Sequence, residues 1–432
     1  MSEQNTVRYN PLSDDRRREI EREVFDGSGQ ALTQLREVSR NYGYSPMAFL
    51  IQTIQWVLSA MPAGCVLDAG RGPISLNLFS VVYGVPGGGK DSLANDIAEL
   101  VTIDDAGNRI EPVEGFLGSG EGVLEQLQST DNKPEPILFR ESEVTQLGTY
   151  LDRRDSSLRS VLLKMFSGNP LGNSTKQEKI KVARNRYTAG VWVAVQPEKA
   201  YVILGGEDDG LRHRFVWVDC VDADALELPP REGDLHPVVI PKEVIKGRPI
   251  GFPEIAREET LKARYRAVRY GESNGTSGHR NLIRARLAAG LALLHGNRSV
   301  SEANWRRAGV LMDYSDSVRD YAASVTANHE VERKAQRAAV EDDAETRVHK
   351  NRTEKLRTTI FKAVHAHGER GVSWSEATQN LNSKIRGKHV ADGLLEQLAT
   401  ADVVHADETS GKRMLMPGTN FNAAYAAEAG SA

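Results

Sequence analysis

The sequence predicts a three-layer α/β domain followed by a small domain of three helices and a β-hairpin. Three observations predict it. Short apolar strands alternate with helical segments as far as about residue 220, the pattern that builds a parallel sheet covered by helices on both faces. A glycine-rich loop, Gly84-Val85-Pro86-Gly87-Gly88-Gly89-Lys90, stands between the apolar run LNLFSVVY and the helical segment DSLANDIAEL. Near the C-terminus, residues 354–417 form a compact unit with its own apolar pattern and a turn-linked hairpin.

Composition narrows the class. A chain of 432 residues implies two or three domains of about 150 residues each. The balance of 55 basic against 59 acidic residues, a net of −4, argues against a polycation that coats nucleic acid. Any such contact must come from local patches. Two cysteines far apart, Cys65 and Cys220, are too few for a disulfide framework or a zinc site and read as reduced core thiols. The N-terminal MSEQNTVRYN has no apolar signal region, and no apolar stretch approaches the roughly 20 residues of a membrane span. The expectation is a soluble, cytoplasmic protein with no membrane partner.

Taken in order, residues 1–45 read as a polar helical segment, with a helix through Asp14–Phe25. A core over 46–250 opens with the apolar helix SPMAFLIQTIQWVLS, started by Ser45 and Pro46, since proline suits the first helical turn. Strand-like pieces follow at 64–68 and 76–83, and ILF (137–139) and VWVAV (191–195) read as buried parallel strands. Residues 221–260, rich in proline and acid, read as a linker or irregular crossing. A helical lid is expected over 251–325, with Ser301 capping its last helix, and a charged helical connector over 326–353. Residues 421–432 read as a flexible tail after the final unit of 354–420.

The glycine loop carries the sharpest chemistry. In a strand–loop–helix setting this spacing is a P-loop, which cradles the phosphates of ATP. Glycines let main-chain N–H groups converge on phosphate, and the helix N-terminus adds positive potential. Gly84, Pro86, Gly87, Gly88, Gly89, Lys90, Asp91 and Ser92 are the expected nucleotide contacts, with Lys90 neutralising the β/γ-phosphates. Asp91 stands where a Mg²⁺-holding Ser or Thr is usual. It either ligates Mg²⁺ or weakens turnover by adding charge beside the phosphates. A second strand must bring acid to the metal and the attacking water. PILFRESE offers Glu141 and Glu143, spaced by two at an extended end and so expected on one side; Glu141 is also a metal candidate. Arg140 sits where a metal-side Asp is commonest. VWVAV ends in Gln196, and in GLRHRFVW Arg214 stands directly before Phe215.

In this order, and with GHRNLIRARLAAGLALLHG and SVSEANWRRAGVLMDYS after it, the chain resembles P-loop ATPases of the AAA+ type. It resembles in particular a family of phage- and prophage-borne helicase-like proteins. More distantly it is similar to superfamily III and minichromosome-maintenance helicases. The resemblance covers roughly residues 45–321 and rests on collinear order. It implies a homo-oligomeric ring, a hexamer, with ATP between subunits. It implies that Gln196 touches the γ-phosphate and water, and that Arg214, or second Arg212, is an arginine finger supplied to a neighbour. A lid arginine on the nucleotide is implied as well: Arg284 and Arg286 match best, with Arg280 third. The sequence departs from the family pattern at Asp91 and Arg140, both on the metal side.

Two segments suit DNA. Residues 168–187 are Gly/Asn/Ser-rich and then basic, through Lys176, Lys179, Lys181, Arg184 and Arg186. In the helicases the chain resembles, a hairpin here grips the nucleic-acid backbone in the ring channel, a phosphate contact indifferent to sequence. The final unit follows a winged-helix plan, with Lys384, Arg386, Lys388 and His389 at the start of its third helix and Lys412 and Arg413 on the wing. The expected activity is ATP-driven DNA translocation or unwinding. An ATP-gated initiator, loader or defence switch, and a winged-helix transcription regulator, are the alternatives.

Overall fold

The computed structural model describes residues 9–429 except 69–71, 106–107, 129–134, 155, 175–178, 206–209, 228–237, 246–248, 272–276 and 409–410. It divides into two compact units, Met1–His329 and Glu330–Ala432.

The first unit opens with three helices, α1 (Asp14–Phe25), α2 (Gln30–Asn41) and α3 (Pro46–Ser59). A short hairpin of β1 (Val66–Asp68) and β2 (Pro73–Ser75) leads into β3 (Phe79–Tyr83) and α4 (Lys90–Leu100). Next come β4 (Val101–Asp105), β5 (Asn108–Ile110), β6 (Val113–Phe116), α5 (Gly120–Leu127) and β7 (Ile137–Glu141). Helices α6 (Val144–Leu151) and α7 (Leu158–Phe166) precede the hairpin β8 (Leu171–Ser174) and β9 (Lys179–Val182). Then follow β10 (Ala189–Val195), α8 (Tyr201–Leu204), β11 (Phe215–Asp219), β12 (Val238–Pro241) and β13 (Ile250–Gly251). Helices α9 (Glu254–Tyr270), α10 (Ser277–Leu294) and the 66-residue α11 (Glu302–His367) follow.

The central sheet is parallel and runs β11–β3–β10–β7–β6. Every residue of β3, β10 and β11 is buried. A strand loses its in–out alternation in this way only when both faces of the sheet are covered, so the α/β layering read from the sequence holds. Phe79 is in register with Val191 and Phe215, and Tyr83 with Val195 and Asp219. The three strands therefore end together, while β10 begins two residues earlier, at Ala189. The acid-bearing β7 is separated from β3 by β10.

Helix α3 is buried along its whole length because it packs on the sheet and under α2 and α10. A Cβ added at Gly290 of α10 would stand 2.3 Å from Ile54 of α3, so the glycine permits the close crossing. Residues 14–41 are not a separate segment. Ile20, Val24, Phe25, Leu32, Leu35 and Val38 belong to the same core as the sheet, because their helical spacing gives each helix one apolar stripe. The stretch 251–325 is likewise anchored to the sheet: Trp217 N–H donates to Ser315 Oγ and Asp219 N–H to Tyr314 Oη. Residues 221–260, expected to be irregular, contain β12 and β13, each paired in parallel with β4 and β1 respectively.

The second unit holds the C-terminal end of α11, then β14 (Val372–Ser373), α12 (Trp374–Ala377), α13 (Lys388–Thr400), β15 (Val404–Asp407), β16 (Met414–Pro417) and α14 (Phe421–Ala429). Its antiparallel sheet runs β14–β16–β15, and its core is its own, centred on Leu356, Ile360, Phe361, Leu394 and Leu415. Ser373 caps α12, a helix only four residues long. The expected flexible tail is instead helix α14. Phe421 and Tyr425, four apart, put two rings on one face; Phe421 packs edge-on against Phe361 and Tyr425 stacks on His365. Among the described residues no helix is long and apolar enough to cross a membrane.

Candidate functional site

The glycine loop leaves the carboxyl end of β3 and is rooted on both neighbouring strands. Gly84 N–H donates to Val195 O at 3.0 Å, and Cys220 N–H donates to Tyr83 O at 3.2 Å. A Cβ on Gly84 would lie 3.1 Å from Cys220 Sγ, so this glycine is needed for room. Gly87 and Gly89 are needed for conformation, with φ of +76° and +73°. Val85, Pro86 and Gly87 are exposed. Gly89 caps α4, and Lys90 is the first helical residue.

Lys90 turns back over the loop. Its Nζ donates to Gly84 O at 2.9 Å and Val85 O at 2.8 Å. Burial lowers its pKa, while Cys220, Asp91, Glu143 and Glu198 act in the opposite direction. The first N–H groups of a helix have no intrahelical acceptor. Here they belong to Lys90, Asp91 and Ser92, and they lie at the positive end of the helix dipole. Ammonium, amides and dipole together form a cradle suited to a polyphosphate. Cys220 beside the cradle is a protonated thiol, pushed up to about 12 by burial.

The acids separate. Glu141 ends β7, is 7 % exposed, and accepts Glu143 N–H at 3.0 Å. Burial raises its pKa, and the neighbouring Glu143 raises it further. Glu143 is exposed, occupies the N-cap position of α6 and pairs with Lys199 at 3.4 Å. The two were expected on one side of an extended strand. The strand ends at Glu141, so the chain turns and sends one inward and one outward. Gln196 directly follows Val195, the residue that holds Gly84. It opens the turn Pro197–Lys199.

Two residues at this edge were not singled out from the sequence. Glu198 accepts Tyr9 Oη–H at 3.2 Å and contributes to the field at Lys90. Its signal was position alone, three residues beyond a buried strand. Tyr44 lies against the loop: a Cβ on Gly89 would meet its ring at 3.4 Å, and its hydroxyl donates to Asp96 at 2.6 Å. Nothing local in the sequence marks it. Arg140 departs from the edge altogether. It lies over Trp192, 5.4 Å from the ring centre, and donates to Asn95 of α4 at 2.7 Å.

A nucleotide-bound Mg²⁺ needs only one or two protein carboxylates, with phosphate and water completing its shell. Asp91, Glu141 and Glu143 are the acids named for the site. Among the described residues, no group of three or more His, Cys, Asp or Glu side chains is arranged to hold a metal ion without a ligand's help.

The arginines lie elsewhere. Arg212 and Arg214 immediately precede β11, and Phe215 is in register with Phe79. They therefore stand at the amino edge of the sheet, about 17 Å of strand from Gly84 at roughly 3.3 Å per residue. Arg214 Nη1 donates to Gly210 O at 2.6 Å, and Arg212 Nε to His213 Nε2 at 3.2 Å.

Arg284 and Arg286, expected on the nucleotide, are committed to packing. Arg284 pairs with Glu259 at 2.8 Å and stacks 3.9 Å over Trp305. Arg286 is wholly buried and donates to Ser75 O, Ser75 Oγ and Phe166 O. Those acceptors lie in segments at the amino ends of the strands, away from the loop. Arg280 is taken by Asp313 and Asp316.

The basic hairpin forms, with Ser174 opposite Lys179. Lys176 lies outside the described residues, while Lys181 and Arg184 are exposed. In the second unit Lys384, Arg386 and Lys412 are exposed, and Lys388 begins α13. Arg413, expected to meet nucleic acid, is engaged within the unit. It pairs with Asp392 at 3.0 Å and Glu408 at 2.7 Å, so its charge ties β16 to α13. No protein-family model matches the chain, and no curated protein matches its sequence.

Proposed function

We propose that the chain is an ATPase of the AAA+ type that moves along or opens DNA as a ring. One observation carries the reading. Lys90 rests on two loop carbonyls at the N-terminus of α4, at the carboxyl edge of a sheet whose acid strand β7 is one strand removed from β3. A P-loop ATPase needs lysine, helix N-terminus and acid strand in that relation.

On this reading Lys90 leaves the carbonyls and binds β/γ-phosphate. Glu141 or Glu143 orients water, and Gln196 hydrogen-bonds at the γ-phosphate. Bound Mg²⁺ supplies charge neutralisation across the phosphates, with Asp91 or Glu141 as its protein ligand. Arg214 lies too far from its own loop to act there, so its role requires the loop of a neighbouring subunit. The β8–β9 hairpin contacts the DNA backbone, and the second unit, in which a helix-led core precedes an antiparallel hairpin, acts as a winged helix. An ATP-gated initiator or loader built from the same parts is the alternative.

The test is ATPase rate with and without single-stranded DNA, alongside mass photometry. DNA stimulation and ATP-dependent oligomers support a motor. Hydrolysis unaffected by DNA supports the gated loader. Failure of wild-type protein to bind ATP, with Lys90→Ala indistinguishable from it, ends both readings.

A further inference from the structure

A cavity of about 710 Å³ opens between the β2 segment, α9 and α10. It lies on the side of the strands' amino ends, where Ser75 and Phe166 hold Arg286; of its lining residues, Arg184 also belongs to the basic segment expected to meet DNA. Its lining includes Arg184, Arg257, Arg286 and Glu254, with Ser167, Asn169 and Thr260 as neutral polar groups. Three arginines and one glutamate thus line it.

Two of the arginines are incompletely bonded. Arg286 is wholly buried; its Nε and Nη2 donate to Ser75 and Phe166, but Nη1 has no partner among the described residues. Buried Arg257 Nε has none either. A buried N–H without an acceptor is costly, more so on a charged group. Folding has left two such donors on residues that line one cavity, together with a third arginine two residues beyond β9.

We infer that this cavity is a second oxyanion site, separate from the glycine loop, that takes a phosphate-bearing ligand. Guanidinium forks match tetrahedral oxyanions by paired hydrogen bonds, which lysine cannot imitate. The volume lies in the range of small-molecule sites, so the site admits more than a lone ion: a diphosphate group or a stretch of sugar–phosphate backbone. Burial lowers the Arg286 pKa to about 9 and nearby Arg214 adds to the effect; an incoming anion stabilises its charged form. Arg184 stands two residues after β9, so occupancy also bears on the base of the hairpin.

The experiment is calorimetric titration of pyrophosphate into full-length Lys90→Ala protein, which silences the glycine loop. One site per chain is expected. Arg257→Gln and Arg286→Lys should each weaken it about tenfold or more, the loss of one charge-assisted bond. Circular dichroism melting checks that each variant folds, and Arg257→Gln, the less buried position, carries the test alone if Arg286→Lys does not. Repeating the titration with oligothymidylate present distinguishes the source: competition assigns the site to nucleic-acid backbone, and its absence to a free phosphate compound. No pyrophosphate binding to the Lys90→Ala protein, or undiminished binding by folded Arg257→Gln, overturns the inference. Neither result bears on ATP binding at the loop.

Discussion

Arg17 of α1 closes a two-bond ion pair on Asp219, the last residue of β11, at 2.8 and 3.0 Å. Both side chains are buried. The next residue, Cys220, lies against Gly84, so the N-terminal helix is tied to the strand end that supports the glycine loop. Removing one partner of a buried pair leaves an uncompensated charge. Arg17→Ala and Asp219→Asn should each cost about 3–5 kcal/mol, read by urea denaturation. The double replacement Arg17→Met with Asp219→Leu should cost less than either. A loss under about 1 kcal/mol for both singles, the range of exposed pairs, would show that the pair is not a structural anchor.

Gly84→Ala pushes a methyl group toward Cys220 Sγ, where only 3.1 Å is available. The expected result is ATP affinity lowered about tenfold or more, as a loop displaced from its amide geometry loses a charge-assisted bond. Adding Cys220→Ala removes the sulfur and should restore most of the affinity. Absence of rescue would trace the defect to something other than this contact.

Glu141→Gln and Glu143→Gln distinguish the two acids. The one that orients water should lower turnover by about 10²–10³-fold while ATP binding survives; Lys90→Ala should lose binding itself. Rapid-quench hydrolysis beside equilibrium nucleotide binding separates these outcomes. If both Gln variants hydrolyse at the wild-type rate, the acid role lies elsewhere, and Glu198 is the next residue to replace.

His279 gives a pH signature. Burial lowers its pKa to about 4, with Arg214, His213 and Arg286 adding to the effect, and its ring meets Phe166 edge-on at 5.8 Å. The folded state therefore keeps it neutral while the unfolded chain protonates near pH 6.5. The stabilisation is full above about 6.5 and is lost as pH falls toward 4. Wild type minus His279→Gln, compared by melting across that window, should show a difference that shrinks with acid. A difference independent of pH would remove His279 as its source.

Phe421→Ala should destabilise the second unit by about 3–5 kcal/mol, as large core truncations do. The ring is 3 % exposed and meets both Phe361 and Tyr425. Proteolysis of the C-terminal unit is the readout; wild-type resistance would mean that α14 is dispensable.

Local patterns were legible without coordinates. The glycine loop shows in its spacing because φ values such as those of Gly87 and Gly89 are demands on single residues. Strands β3 and β10 show as largely apolar runs because both faces of the sheet are covered. Ser301, read as the cap of its helix, accepts Asn304 N–H at 3.1 Å. What the sequence by itself determined was therefore the α/β layering and the glycine loop; β12, β13 and α14, which it read as linker and tail, appeared only in the fold. Tertiary structure alone decided where the charges went. Arg286 was sequestered at Ser75, Arg413 spent on Asp392 and Glu408, Glu143 turned away from Glu141, and Glu198 brought into the field of Lys90. A side chain's partners are set by chain segments far off in sequence, Arg286 and Ser75 being 211 residues apart, and no local periodicity records which distant group will arrive.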